Sequence, residues 1–441
     1  MPIPMPKTRQ GLSADGLFRT LRKGFEQIPD PRPRPDIPLR DALLSGFALF
    51  SLKDPSLLAF DARRRDGNLQ QLFGIGQVPS DTRMREILDP VDPEHLRPVF
   101  NQLFRSLQRG KALEQLVFYQ GCYLLALDGT GYFSSPTVHC PSCLEKVHRE
   151  TGAVTYAHQM LGAVMVHPDF PTVVPFAPEP IVKQDGTTKN DCERNAAKRL
   201  LRKIRQEHPH LKFIVIEDGL ASNAPHIREL RDLNMHFLLG VKPGDHGFLF
   251  GQLIAAYDAD RVTVLACQTL QGVRCEISFV NQLPLNESNP DLLVNFLRYA
   301  EYDDAGELVK LFTWVTDLTI TRENALHLAR GGRARWKIEN EKFNTLKKQG
   351  YQFEHNFGHG NQNLSVVFAQ LMMLAFLVEQ IQQLCCPLFR AVWQKFGSKR
   401  ALWDNLRSHF RHFAFLSMQH LYEVMLCDLA KELPAPQFDT S

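Results

Sequence analysis

The chain has 441 residues, of which 44% are hydrophobic and 22% charged, a composition that excludes a disordered polypeptide and predicts two or three folded domains. A formal net charge of +3 permits nucleic-acid binding through local basic patches but does not by itself predict it. We find no uncharged apolar run of about 18 residues, so no membrane span is expected. The start, MPIPMPKTRQ, lacks the apolar core of a secretory signal, which favours the cytoplasm.

Residues 1–118 are predicted to form a helical domain. Apolar residues recur with a period near 3.6 in DGLFRTLRKGFEQI, LRDALLSGFALFSL and EHLRPVFNQLFRSLQRG. Ser13 or Asp15 is expected to cap the first helix. Basic residues gather in DARRRDG and between Arg105 and Lys111, which indicates either a solvated face or a contact to DNA.

A mixed α/β layer is predicted for residues 119–245. YLLALDGTGYF, YAHQMLGAVMVH and PTVVPFAPEPIV have the pattern of three successive antiparallel strands. The long helix NDCERNAAKRLLRKIRQEH follows, and then the strand KFIVIED, the helix APHIRELRDL and the strand HFLLGVKP. A helical crossover after the third strand allows the fourth strand to lie beside the first.

The remaining sequence divides into three predicted parts. Residues 246–320 alternate short strands with polar turns and are predicted to be a β-rich insertion. Residues 321–380 are predicted to be helices that complete the core, with a break at Gly331 and Gly332. Residues 381–441 are predicted to be C-terminal helices followed by a disordered tail.

Two apolar runs end on an aspartate and break at once on a glycine. Asp128 ends the run YLLALD, and Asp218 ends the run KFIVIED. If the crossover places the two strands side by side, the two carboxylates become neighbours and repel each other unless a cation lies between them. Hard divalent cations such as Mg²⁺ or Mn²⁺ prefer carboxylate oxygens, and two such ions serve phosphoryl transfer. The pattern therefore predicts a metal-dependent active site.

Glu339, in RARWKIENEKFNTLKK, is the candidate for a third carboxylate. A helix that combines one inward carboxylate with many cations suits a polyanionic substrate such as DNA. The alternative is an exposed helix in which Arg335 and Glu339 form an ordinary charge pair four residues apart. The predicted DNA-binding cations on this helix are Arg335, Lys337, Lys342, Lys347 and Lys348.

The motifs LDGTGYF, EDGL and RWKIENEKFNTLKKQGY, in this order, resemble the bacterial insertion-sequence transposases of the DDE class. IPDPR, LKDPSLLAF and PSDTRMREILD near the start, and FTWVTDLTI before the last motif, resemble the same family. The resemblance covers roughly residues 20 to 380 and implies a ribonuclease H-like mixed sheet with a β-rich insertion, flanked by an N-terminal helical domain and C-terminal helices.

The resemblance implies that Asp128, Asp218 and Glu339 are the three catalytic acids and that they hold two Mg²⁺ or Mn²⁺ ions. It also implies that the protein acts on DNA, at element ends and at a target, as a homodimer or larger assembly. The family arginine matches Arg335, whereas the family lysine falls on Leu346, one residue before Lys347.

A shift of one residue turns a side chain by about 100° around a helix, which leaves the role of Lys347 open. Glu341 is the alternative to Glu339, because Lys348 has the family spacing from it. The motif WKIE with Arg335 favours Glu339.

The segment VHCPSCLEKVHRE has half of the ligand spacing of a zinc site. Cys140 and Cys143 would supply two ligands, with His139 and His148 as the flanking candidates. The alternative is a tight turn with free thiols. Other cysteines, among them Cys267, are expected to be reduced and buried.

The sequence thus predicts a transposase that cleaves DNA at element ends and transfers the strands to target DNA. Two alternatives remain at this stage. One is a transposase-derived DNA-binding protein without catalysis, and the other is a different ribonuclease H-like nuclease.

Overall fold

The computed structural model describes residues 10–183, 190–268 and 272–427. The chain forms two compact units. The first consists of Met1–Leu113, Tyr132–Ala157 and Asn344–Ser441, and the second consists of Glu114–Gly131 and His158–Phe343. The predicted C-terminal tail lies outside the described residues.

The helices of the described residues are α1 (Ala14–Phe25), α2 (Leu39–Ser51), α3 (Leu57–Asp61), α4 (Asp81–Leu88), α5 (Arg97–Arg109), α6 (Glu193–Glu207), α7 (Ala224–Asp232), α8 (Gly247–Asp258), α9 (Ala325–Arg333), α10 (Asn344–Lys348), α11 (Leu364–Cys385), α12 (Pro387–Phe396), α13 (Lys399–His412) and α14 (Met418–Leu426). The strands are β1 (Val117–Tyr119), β2 (Cys122–Ser135), β3 (Leu144–Val147), β4 (Val154–His167), β5 (Phe170–Pro175), β6 (Glu179–Ile181), β7 (Lys212–Glu217), β8 (His236–Gly240), β9 (Thr263–Gln268), β10 (Arg274–Asn286), β11 (Asn289–Tyr302) and β12 (Leu308–Thr316). A π-helical segment, Ile338–Phe343, directly precedes α10.

The first unit is built around α11, which packs on α2. By length and composition this helix could cross a membrane, but 94% of its apolar window is buried inside the protein. That burial is the pattern of a core helix. At the start of the unit, Ser13 caps α1 by accepting a hydrogen bond from the backbone N–H of Gly16.

A buried ion pair joins α11 to the turn after α2. Lys53 Nζ donates to Glu379 Oε2 at 2.7 Å, and the hydroxyl of Tyr351 donates to the same oxygen at 2.7 Å. Lys399 lies 3.4 Å from the other carboxylate oxygen. Burial lowers the pKa of Lys53 to about 8, whereas the surrounding positive charges and hydrogen bonds outweigh burial and lower the pKa of Glu379 to about 2.

The second unit contains a mixed sheet in which β2, β7 and β8 are parallel neighbours. The crossover helix is α6, and the predicted placement of the fourth strand beside the first is confirmed by the pairing of Ala126 with Ile216. The sheet then continues from β8 through β12, β11 and β10 to β9 by antiparallel pairing. A disulfide between Cys267 and Cys275 joins β9 to β10, so the expectation of a free thiol at Cys267 is wrong.

The sequence predicts a helix break at Gly331 and Gly332. This prediction is wrong, because both glycines lie inside α9. They are glycines because the helix lies close to its neighbours. A Cβ atom at Gly331 would lie 2.7 Å from the ring of Phe118, and one at Gly332 would lie 2.5 Å from the ring of Trp314. The helix therefore approaches these rings more closely than a residue with a Cβ atom at either position would allow.

Replacing Gly332 with Val is expected to lower the free energy of unfolding by about 1–3 kcal/mol, because the added atoms have no space against Trp314. Gly251 of α8 is the matched control, since nothing lies within 4 Å of a Cβ atom there. Replacing Gly251 with Ala is expected to raise the free energy of unfolding by about 0.4–1 kcal/mol. Urea titration measures both, and an unchanged Gly332→Val protein would contradict the close-packing argument.

Candidate active site

Two adjacent parallel strands bring Asp128 and Asp218 to the same end of the sheet. Ala126 and Ile216 are partners in register, and each aspartate follows its partner residue by two positions. Asp128 Oδ1 accepts a hydrogen bond from the backbone N–H of Gly129 at 3.0 Å, and Asp218 Oδ1 accepts one from Leu220 at 3.0 Å. The backbone thus orients both carboxylates.

The electrostatics of Asp128 show which groups surround it. Partial burial raises the pKa of Asp128, the positive charge of Arg335 opposes that rise, and the negative charges of Asp218 and Glu339 add to it. Arg335 Nη1 lies 3.5 Å from Asp128 Oδ2. The structure therefore brings the three sequence-predicted acids and the predicted arginine into one electrostatic cluster within the second unit.

Glu341, the alternative third acid, has a different neighbour. Its negative charge acts on Lys337 and raises the pKa of that amine, against the larger lowering effect of burial. By contrast, Glu339 acts on Asp128. The two glutamates thus act on different charged neighbours, Glu339 on Asp128 and Glu341 on Lys337.

Glu193 is a fourth carboxylate that sequence reasoning missed. It is the first residue of α6, and a Cβ atom at Gly129 would collide with its carboxylate. Partial desolvation and the negative charges of Asp128 and Asp218 raise the pKa of Glu193. The available signal was topological: a helix that leads into a parallel strand begins at the carboxyl end of that strand, where Asp218 lies.

The acidic cluster opens into a cavity of the second unit with a volume of ≈ 740 Å³. Asp128, Glu193 and Asp218 line it, together with His226. His226 Nε2 lies 2.6 Å from Glu217 Oε2, and the charge of Glu217 raises the pKa of His226 against the lowering effect of burial. The cations Arg194 and Lys198 also line the cavity.

The predicted DNA-binding cations occupy different environments. Arg335 is turned towards Asp128, and Lys337 Nζ donates to the carbonyl oxygen of Phe170 at 2.6 Å. In the first unit, Lys347 forms an ion pair with Glu354 at 2.9 Å, and Lys348 is exposed. The environments of these side chains do not test DNA contact, which stays a prediction.

Lys342 requires a correction, because it does not lie on an exposed basic face. Its side chain is fully buried, and its Nζ has no hydrogen-bond partner among the described residues. Burial lowers the pKa of Lys342 to about 7, and the negative charge of Asp128 opposes that change. Gly162 makes room for it, since a Cβ atom there would collide with Nζ. Lys342 therefore faces the acidic cluster from inside the protein and does not meet a DNA phosphate from this position.

Replacing Lys342 with Met is expected to raise the free energy of unfolding at pH 6, on the order of 2–4 kcal/mol, because it removes a buried charge without a hydrogen bond. The native pKa of about 7 lies below the ordinary value of 10.5, so the stability of the unsubstituted protein rises between pH 7 and 10.5. The difference between the two proteins should therefore shrink over that range. Urea titrations at pH 6, 8 and 10 measure it, with the exposed Lys348→Met as control, and a less stable variant at pH 6 would refute the argument.

The histidines expected to complete a zinc site also require a correction. The ring of His139 stacks on Tyr156 at 4.3 Å between ring centroids, and His148 Nε2 lies 2.9 Å from the hydroxyl of Thr155. Both histidines are exposed. Neither belongs to the group of metal-ligand side chains found among the described residues around Cys140 and Cys143.

Acidic residues at the ends of two adjacent parallel strands, with a third acid on a later helix, define the DDE class of nucleic-acid enzymes. The family model described as Transposase DDE domain matches residues 172–377. The chain therefore carries a transposase DDE domain, and the predicted resemblance to this class is confirmed. The matched segment contains Asp218 and Glu339, and it begins after Asp128.

A comparison with curated proteins finds no match. The match to a transposase DDE domain implies DNA as the partner and a ribonuclease H-like core for the mixed α/β sheet.

Proposed function

We propose that this protein cleaves DNA strands at the ends of an insertion element and joins the freed 3′-hydroxyl groups to target DNA. Asp128, Asp218 and Glu339 are the catalytic acids of the proposal. The observation that supports it is the position of Asp128 and Asp218 just beyond paired residues of two parallel strands, with Arg335 and Glu339 acting electrostatically on Asp128. Phosphoryl transfer of this kind depends on positioning and on stabilising charge, which such a cluster supplies.

The residues present fit divalent metal ions. Carboxylate oxygens are the donors that Mg²⁺ and Mn²⁺ prefer. Burial and, to a lesser extent, the charges of Asp218 and Glu339 raise the pKa of Asp128, and a bound cation would favour its charged form. Asp128, Asp218 and Glu339 would hold two Mg²⁺ or Mn²⁺ ions. When bound, such ions lower the pKa of the attacking water or hydroxyl and stabilise the charge on the leaving oxygen.

The other residues of the site have supporting roles in this proposal. Arg335 holds the Asp128 carboxylate in place, and the buried Lys342 adds positive charge behind the acids. Lys348, which is exposed, and the cations at positions 337 and 347 contact the DNA backbone. The protein assembles as a homodimer or larger complex on the element ends, as related transposases do.

The test uses the purified full chain and a plasmid that carries its coding sequence with the native flanking DNA. Incubation with Mg²⁺ or Mn²⁺ is expected to give strand breaks at the two element boundaries, mapped by primer extension, and joined products with a second plasmid. Incubation with EDTA is the control and is expected to give none. Boundary-specific footprints without breaks under either metal would replace this proposal with a DNA-binding protein that lacks catalysis.

A further inference from the structure

Cys140 and Cys143 form a compact pair of thiols in the first unit. The turn CPSC brings them together, with the backbone N–H of Cys143 donating to the carbonyl of Cys140 at 3.1 Å. The N–H of Cys140 donates to Cys143 Sγ at 3.4 Å, and the two sulfur atoms lie 3.9 Å apart. Both side chains are buried, with exposed fractions of 6% and 1%.

His359 joins this pair from a distant part of the sequence. Its Nε2 atom lies 3.4 Å from Cys143 Sγ, and the ligand atoms of Cys140, Cys143 and His359 all lie within 4.8 Å of one another. With zinc–sulfur bonds of about 2.3 Å and zinc–nitrogen bonds of about 2.0–2.1 Å, a tetrahedral site places two sulfurs about 3.8 Å apart and a sulfur and a nitrogen about 3.6 Å apart. The observed separations are those of ligands arranged around one zinc ion.

The loop that carries His359 is fixed by contacts that do not involve the cysteines. The Asp89 carboxylate accepts four backbone N–H hydrogen bonds at 2.9–3.1 Å, from Asn361, Gln362, Asn363 and Leu364. Gly358 and Gly360 flank the histidine with φ of 157° and 69°, which favour glycine. The ring of Phe133 lies 4.5 Å from the imidazole. These contacts therefore position the histidine before any metal binds. Residues around a metal ligand usually orient it in this way.

We propose that Cys140, Cys143 and His359 bind a structural zinc ion. All three ligands lie in the first unit. Two thiolates with an imidazole form a donor set that selects zinc over hard cations. One further ligand completes the tetrahedral coordination that zinc prefers.

The ion would connect two segments of the first unit that are separated by about 200 residues along the chain. The segment Tyr132–Ala157 begins within β2, the strand of Asp128, and the loop of His359 comes after the π-helical segment of Glu339. Zinc binding would therefore contribute folding free energy to this unit and would release protons from the two thiols. It is separate from the catalytic metal ions, so zinc content and DNA cleavage test different proposals.

The test begins with the untagged full chain, purified without chelator. About one zinc ion per chain is expected by mass spectrometry of metals, and growth with Co²⁺ should give the absorption bands of tetrahedral thiolate coordination. Cys140→Ser and Cys143→Ser are each expected to lose zinc, and His359→Ala to bind it at least tenfold more weakly. A His359→Ala protein that keeps zinc at full affinity would remove His359 from the proposal.

Matched controls lie close by. His355→Ala changes an exposed histidine of the same loop, and Cys386→Ser changes another buried thiol of the same unit, so both should retain zinc. If the cysteine variants do not fold, alkylation of the unsubstituted protein with and without a zinc chelator replaces them. The chelator should speed the alkylation of Cys140 and Cys143 but leave that of the exposed Cys192 unchanged. A purified chain without zinc, or zinc that survives both cysteine substitutions, would overturn the proposal.

Discussion

An Asp128→Asn protein is expected to fold and bind DNA but to cleave it at least about 10³-fold more slowly than the unsubstituted protein. The substitution keeps the shape of the side chain and removes its negative charge. A loss of several kcal/mol of transition-state stabilisation, the order expected for a metal ligand, corresponds to this factor. Asp218→Asn should slow cleavage to a similar extent, because each aspartate lies two positions after one of the register partners Ala126 and Ile216.

The measurement is the initial rate of strand cleavage in Mg²⁺ at equal DNA occupancy. Glu339→Gln should show the same loss, and Glu341→Gln is the matched control on the same π-helical segment. Glu341 acts on Lys337 rather than on Asp128, so its variant should retain most of the activity. A fully active Glu339→Gln protein with an inactive Glu341→Gln protein would transfer the role of third acid to Glu341.

Replacing Glu379 with Gln is expected to lower the free energy of unfolding by about 3–5 kcal/mol at pH 7. The substitution leaves the buried ammonium of Lys53 without its counter-charge, and removing one partner of a buried ion pair costs this amount. Urea titration measures the change. A double variant, Lys53→Met with Glu379→Leu, is the control: it removes both charges and should recover most of the lost stability.

The pH dependence gives an independent check of the same pair. The pKa of Glu379 is lowered from its ordinary value of 4.5 to about 2 in the folded protein. The stabilisation from its charge is therefore complete above about pH 4.5 and is lost as the pH falls towards 2. The stability difference between the unsubstituted protein and Glu379→Gln should be smaller at pH 3.5 than at pH 7. A constant difference would show that the carboxylate charge is not the cause.

The sequence predicted those parts of the fold that local patterns encode. Apolar runs of strand length and a long amphipathic helix gave the order of elements around Asp128 and Asp218. Chain connectivity then predicted that the two strands pair, because a helical crossover returns the chain parallel to the earlier strand. The order of the elements was therefore enough to predict that Asp128 and Asp218 are neighbours.

The features that the sequence did not predict depend on contacts between distant residues. Gly332 is read as a helix break unless the ring of Trp314 against it is known. The sequence predicts that Lys342 is a surface cation, whereas its side chain is buried in the structure. His359 and Cys143 are 216 positions apart, and no spacing rule links them. Each of these depends on tertiary packing, which overrides local preference.

The π-helical segment Ile338–Phe343 changes how positions beyond Glu339 are counted. A π-helical turn takes up one residue more than an α-helical turn, and the chain resumes an ordinary α-helix at Asn344. A residue count across this segment therefore does not convert to an angle at 100° per residue. The one-residue offset between Lys347 and the family lysine is for this reason not by itself a rotation of 100°.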